Sequence, residues 1–272
     1  MTACKSDERL RRLRDLRPLA LKAQGMTGAD IERIVRRARQ QARREKRRLT
    51  WTDIEKGISG NHRPILPEER WRMAVHEAGH AVIRHMLQVG HPLTLSIAEQ
   101  VGFGFATARR KLIPLEKDCE DNLAVMLAGR AAEELVLGDV SVGSGMQPGS
   151  DLANATDLAL AMETTYGFAR ERPLLFCDGV ARRELLHETH PITSHVDERL
   201  QKAYDIARHG LVRYAVAHRT LSKTLLEHGV LEGDAVTAIL DDAIRRQDQQ
   251  GSHVSVSAAD NNSKDTNAPG PT

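Results

Sequence analysis

Between residues 27 and 48, Ile31, Ile34, Val35, Ala38 and Ala42 recur at helical spacing while arginines fill the other positions. That is the pattern of an amphipathic helix with one buried stripe. Thr27 with Asp30 three residues on resembles a capping box with a shortened carboxylate. Thr50 with Asp53 repeats the signal and opens a short helix through Ile58. Gly60-Asn61 and Arg63-Pro64 then break the pattern, as a linker does. Pro67-Glu68-Glu69 starts the next helix, with proline in the first turn and acids at the positive end of the dipole. Its inward stripe reads Met73, His76, His80, Ile83, Leu87, and it ends before Gly90-His91-Pro92. Residues 93–108, LTLSIAEQVGFGFATA, hold the strand material and predict a small hairpin or sheet. Helices are expected at 115–137, 151–168, 195–228 and 232–246, with the glycine-rich loop GDVSVGSGMQPGSD between the first two. Residues 248–272 have the composition of a disordered tail. No internal repeat interrupts this order. The expected fold class is mainly α with a small β-sheet or hairpin.

Composition supports that class. Aromatic residues are 3% of the chain, so its cores must be built from aliphatic residues and alanine, which suits helix-on-helix packing. Residues 1–60 carry 17 Lys+Arg against 8 Asp+Glu, a net of +9, and the remainder carries 22 against 29, a net of −7. A basic segment (1–60) is thus expected to precede a separate domain (64–246) and the tail (248–272). Cys4, Cys119 and Cys177 are odd in number and form no Cys-x-x-Cys pair, which argues against a disulfide framework. No apolar run approaches the roughly 18 residues of a membrane span, and the N-terminus lacks a signal-peptide core. The expectation is a cytoplasmic chain without a transmembrane segment. The arginines of 31–48 have no interleaved aromatics apart from nearby Trp51, so nucleic acid is not the expected partner.

The stretch 71-WRMAVHEAGHAVIRHML-87 changes the picture. On a helix His76 and His80 share one face, a turn apart, and both imidazoles can reach one ion such as Zn²⁺. Glu77 is one position round, where it can take the proton of a water that the ion activates. His-Glu-x-x-His is short enough to arise by chance. Two local details favour chemistry. Gly79 sits mid-helix, where glycine costs about 1 kcal/mol relative to alanine, so a close approach is expected at Ala78-Gly79. Both histidines also lie on the inward stripe, where buried imidazoles need partners.

A catalytic zinc takes a third protein ligand. The metzincin pattern would place Gly at position 83 and His at 86, and this chain has Ile83 and Met86. Asp151 opens the helix DLANATDLALAMETTYGF, and its carboxylate is favoured in ionised form at a helix N-terminus. Ser150 or Asp151 could equally serve as the helix cap. On chemistry Asp151 leads Glu99, Glu133 and Glu134, which stay open.

HEAGH at 76–80, AGRAAEEL at 128–135, and the Ser-x-Gly loop followed by SDLANAT at 150–156 together resemble the peptidase domain of FtsH-type AAA+ zinc metalloproteases. The resemblance runs from about residue 64 to 246. It implies a helical zincin-like domain, one Zn²⁺ per chain held by His76, His80 and Asp151, and Glu77 as catalytic base of a metalloendopeptidase. It also implies that Glu133 orients a ligand, and that the strand with Gly102, Phe103, Gly104 and Phe105 pairs with an extended polypeptide substrate. Residues 27–58 resemble the last two helices of the AAA+ lid that precedes this domain in the family, so hexamers or assembly with an AAA+ ATPase subunit are implied. Here the chain departs from the pattern. No glycine is followed by lysine, so the G-x-x-x-x-G-K-[ST] phosphate cradle is missing and no nucleotide-binding residue is assigned. The expected function is hydrolysis of unfolded or extended polypeptides, with any ATP-driven unfolding supplied by another chain. The alternative is a catalytically marginal remnant or subunit that assembles with a full-length protease.

Overall fold

The computed structural model describes residues 19–20, 23, 26–59, 65–90, 94–97, 113–177, 184–186 and 190–261. Two helices come first, α1 (Gly28–Arg44) and α2 (Trp51–Ser59). Thr27 and Asp30 cap α1 reciprocally, the Asp30 N–H reaching Thr27 Oγ1 at 3.2 Å and the Thr27 N–H reaching Asp30 Oδ2 at 3.1 Å. Asp53 accepts from the Thr50 N–H at 2.8 Å and from the Arg47 fork at 2.7 Å, tying the two helices at their junction. The expected linker at 60–64 lies outside the described residues.

Helix α3 (Pro67–Met86) is the centre of the remaining fold. The stripe pattern predicts one buried face, but from Ala74 to Arg84 only His76 escapes burial. Helix α4 (Glu116–Leu137) packs along it. Gly79 permits that approach: a Cβ there would come 2.7 Å from Ala128 O and 2.7 Å from Ala132 Cβ. Small residues line the buried surfaces of both helices, Ala74, Ala78 and Ala81 on α3 and Ala124, Ala128, Ala131 and Ala132 on α4. This is how a chain poor in aromatics fills a core, with close backbones instead of large side chains. Helices α5 (Asp151–Thr164) and α6 (Pro191–Arg213) cover α4, and α7 (Ala215–His228) covers α3.

The helix expected over 195–228 is two helices meeting at Tyr214, which ends α6 and starts α7. No Gly or Pro marks the break, and its cause is tertiary. The turn lays α7 on α3, where buried His218 donates from Nε2 to Val75 O at 2.9 Å. Helix α5 stops at Thr164, short of residue 168, because Thr164 and Thr165 bond back to the carbonyls of Leu160 and Ala161 and Gly167 turns the chain at φ +76°.

Strand β1 (Thr94–Ser96) pairs antiparallel with β2 (Val230–Glu232), Leu95 opposite Leu231. Among the described residues the sheet is therefore not a local hairpin. Its second strand is a three-residue run at the gap between the helices expected over 195–228 and 232–246. The rest of the expected strand region, Leu93 and 98–108, lies outside the described residues. Helix α8 (Gly233–Asn261) continues into the stretch assigned by composition to a disordered tail. Extension of a nucleated helix costs little, and no proline intervenes before Pro269. No helix among the described residues is long and apolar enough to cross a membrane.

Candidate metal centre

Two helices deliver the site. Helix α3 presents His76 and His80 one turn apart, and the first residue of α5 presents Asp151. Ser150 is the residue that caps α5, its Oγ accepting from the Ala153 N–H, so Asp151 is free to face the histidines. One Asp151 oxygen, Oδ2, stands 3.0 Å from His76 Nε2 and 3.3 Å from His80 Nε2, and the two Nε2 atoms are 3.1 Å apart. A tetrahedral zinc site with ligands at about 2.0–2.1 Å requires ligand atoms about 3.3 Å from one another. The group meets that spacing.

The partners of the other ring nitrogens decide what these atoms offer. His80 Nδ1 lies 2.6 Å from Val125 O, a carbonyl that can only accept, so Nδ1 carries the hydrogen. His76 Nδ1 lies 2.8 Å from Glu133 Oε1 and likewise donates. Both neutral rings therefore turn Nε2 lone pairs toward the Asp151 carboxylate. Three lone pairs at this distance repel one another unless a cation or a proton sits among them. Burial works against charge on His76, but hydrogen bonds to Asp151 and Glu133, with Glu77 nearby, push its pKa up to about 10. A proton on His76 Nε2 and a metal ion therefore compete for the same place among these atoms. Burial raises the Asp151 carboxyl, yet the neighbouring imidazoles outweigh it and hold the group well below the usual carboxylate range.

Glu133 belongs to α4 and is 1% exposed. Its carboxylate collects four donors: His76 Nδ1 and Ser141 Oγ (3.0 Å) on Oε1, Arg72 Nη1 (2.8 Å) and the Ser141 N–H (2.8 Å) on Oε2. Burial opposes its ionisation, but these bonds hold its pKa at about 2. Gly138 ends α4 in the left-handed region at φ +81°, and that reversal brings Asp139 and Ser141 back over Glu133. Asp139 Oδ1 in turn takes Arg72 Nη2 at 2.7 Å.

Glu77 is buried beside the histidines, near enough that its charge favours protonated His76. Among the other acids weighed as ligands, Glu134 faces away, holding the Tyr204 hydroxyl and standing 3.8 Å from Arg208 Nε. Glu133 touches His76 only at the nitrogen turned from the centre. Glu99, Gly102, Phe103, Gly104 and Phe105 lie outside the described residues. Sequence reasoning missed Arg72, Ser141, the Val125 carbonyl and Gly129. Arg72 was within reach, because it sits one turn before His76 on the same helix face. Gly129 was not: a Cβ there would meet the His76 ring at 2.4 Å, a crossing visible only in three dimensions.

Two histidines from one helix, an aspartate from another and a buried glutamate beside them form the donor set of a metal-dependent hydrolase. Residues 63–239 match the model of peptidase family M41, and the chain belongs to that family. It is similar to the ATP-dependent zinc metalloprotease FtsH of Pseudothermotoga lettingae, at 30% identity over 83% of this chain and 40% of the relative. The proteins of the same name from Thermotoga maritima (29%, over 85% and 42%) and Methylococcus capsulatus (29%, over 84% and 39%) match similarly. The chain spans about two fifths of the length of these relatives.

Proposed function

We propose that this chain is a zinc-dependent endopeptidase acting on unfolded or extended polypeptides, with His76, His80 and Asp151 as the zinc ligands. The observation that carries the reading is the convergence of three lone-pair donors at the spacing of a tetrahedral site, with a buried carboxylate next to them. The names of the relatives support zinc and a protein substrate. When bound, zinc supplies a Lewis acid and brings the pKa of water to about 7.

The chain's own groups have the remaining tasks. Glu77 is the general base: it accepts a proton from the attacking water and returns it to the leaving amine. Glu133 holds the proton on Nδ1 of His76, and the Val125 carbonyl does the same for His80, so each neutral ring presents its Nε2 lone pair to the centre. Residues 64–246 form the peptidase module in this reading, and 1–60 a lid-like segment. Because the sequence contains no phosphate cradle, any ATP-driven unfolding is assigned to a module outside these residues.

The test is cleavage of casein by zinc-loaded protein, compared with Glu77→Gln. The variant is expected to bind zinc as the wild type does and to lose activity by at least about 100-fold. Equal cleavage by both proteins, or none by zinc-loaded wild type, overturns the proposal.

A further inference from the structure

Arg72 lies near the centre and is not itself a candidate ligand. It lies a turn before His76 on α3, and its guanidinium forks between two carboxylates on other segments. Nη1 reaches Glu133 Oε2 at 2.8 Å and Nη2 reaches Asp139 Oδ1 at 2.7 Å. The Glu133 side chain is 2% exposed, whereas that of Asp139 is 70% exposed. One arm of the fork therefore enters the core and the other stays at the surface.

We propose that Arg72 is a positioning residue for the metal centre: it acts through Glu133 to keep His76 Nε2 turned toward the ion. The inference rests on His76 being a ligand, as proposed above. Its logic is geometric. Glu133 Oε1 must face His76 Nδ1, and a carboxylate can swing about its last torsion unless its other oxygen is pinned. Oε2 is pinned by the Ser141 N–H and by Arg72. Arg72 is also the only permanent cation paired with this buried carboxylate among the described residues. Asp139 fixes the far end of the fork, so the guanidinium has one orientation. A lysine would offer the charge without the fork.

The experiment measures zinc affinity of the full chain by competition with a chromophoric chelator. Arg72→Met keeps the aliphatic stem and removes the charge, and is expected to weaken zinc by roughly 10- to 100-fold. Arg72→Lys restores the charge but not the fork and is expected to recover part of that loss, which a purely steric role for the arginine would not produce. Arg70→Met, two residues away on the same helix, is the control and is expected to bind like wild type. Asp139→Asn alters only the exposed arm and leaves the buried one in place; it is expected to weaken zinc by roughly 2- to 5-fold.

Arg72→Met binding zinc within about twofold of wild type overturns the inference, as does failure of Arg72→Lys to improve on it. If Arg72→Met does not fold, unchanged affinity in Asp139→Asn overturns it instead. Wild type that holds no zinc is a different failure: it removes the metal-site reading, and this inference with it.

Discussion

His76 packs against Gly129 so closely that a Cβ at residue 129 would lie 2.4 Å from Nε2 and 2.5 Å from Cε1. The ring yields only by disturbing its partners, because Nδ1 is held by Glu133 on one side and Nε2 stands by Asp151 on the other. Gly129→Ala should therefore separate stability from metal binding. Helix propensity favours alanine by about 1 kcal/mol, which offsets much of the crowding in the metal-free fold. Zinc affinity should fall by roughly 10- to 100-fold as the ring tilts. Chelator competition beside thermal melts of the metal-free protein checks both halves; unchanged zinc affinity contradicts the packing argument.

Asp151 and its neighbour Ser150 divide two tasks that sequence alone could not separate. Ser150 caps α5, and Asp151 faces the histidines. Ser150→Ala should lower stability by about 1 kcal/mol. Asp151→Ala should leave the helix capped and weaken zinc by more than about 100-fold, since a charged ligand is lost outright. Metal analysis after dialysis against a weak chelator distinguishes them. Full zinc retention by Asp151→Ala would return the third-ligand role to another acid.

The junction at Tyr214 predicts a pH dependence. Burial pushes the His218 imidazole below its ordinary pKa, only partly countered by its bond to Val75 O. The unfolded chain, with a histidine pKa near 6.5, then binds a proton that the folded chain refuses. Stability from this residue is complete above about pH 6.5 and declines as the pH falls toward the depressed folded value. Metal-free wild type should lose more melting temperature between about pH 7.5 and 5.5 than His218→Gln, whose amide can donate the same bond without titrating. Parallel pH profiles for the two proteins would contradict this.

Much of this centre is legible in sequence because its ligands follow local rules. His76 and His80 are one helical turn apart, and the start of α5 is marked by Ser150 and Asp151. The cap of α1 is equally local, and Thr27 and Asp30 form the predicted bonds. Gly79 announced a close approach, though not that Ala128 and Ala132 would be the neighbours. What stays hidden depends on how segments cross. The break at Tyr214 has no turn chemistry and exists because α7 must lie on α3. Strand β2 is too short to carry a period, and it is a strand only because β1 is beside it. The hold on His80 is a backbone carbonyl, Val125 O, to which no residue type could point.

The four donors on Glu133 make an amide a poor substitute for its carboxylate. In Glu133→Gln the new side chain must put its NH₂ where Oε1 or Oε2 now stands. At the Oε2 position it would face Arg72 Nη1 and the Ser141 N–H, and neither can accept a hydrogen bond. At the Oε1 position it would face the Ser141 hydroxyl, which can rotate to accept, and His76 Nδ1. The second placement is the less costly one, and it forces His76 to accept at Nδ1 and carry its hydrogen on Nε2. That hydrogen then points at His80 and Asp151, where an ion needs a lone pair. Glu133→Gln should accordingly weaken zinc by roughly 100-fold while the metal-free fold persists. Nitrogen-15 NMR of the histidine rings should report His76 as the Nε2–H tautomer in the variant. A variant whose His76 still carries a hydrogen on Nδ1 and that binds zinc as the wild type does would show that Glu133 does not set the state of His76.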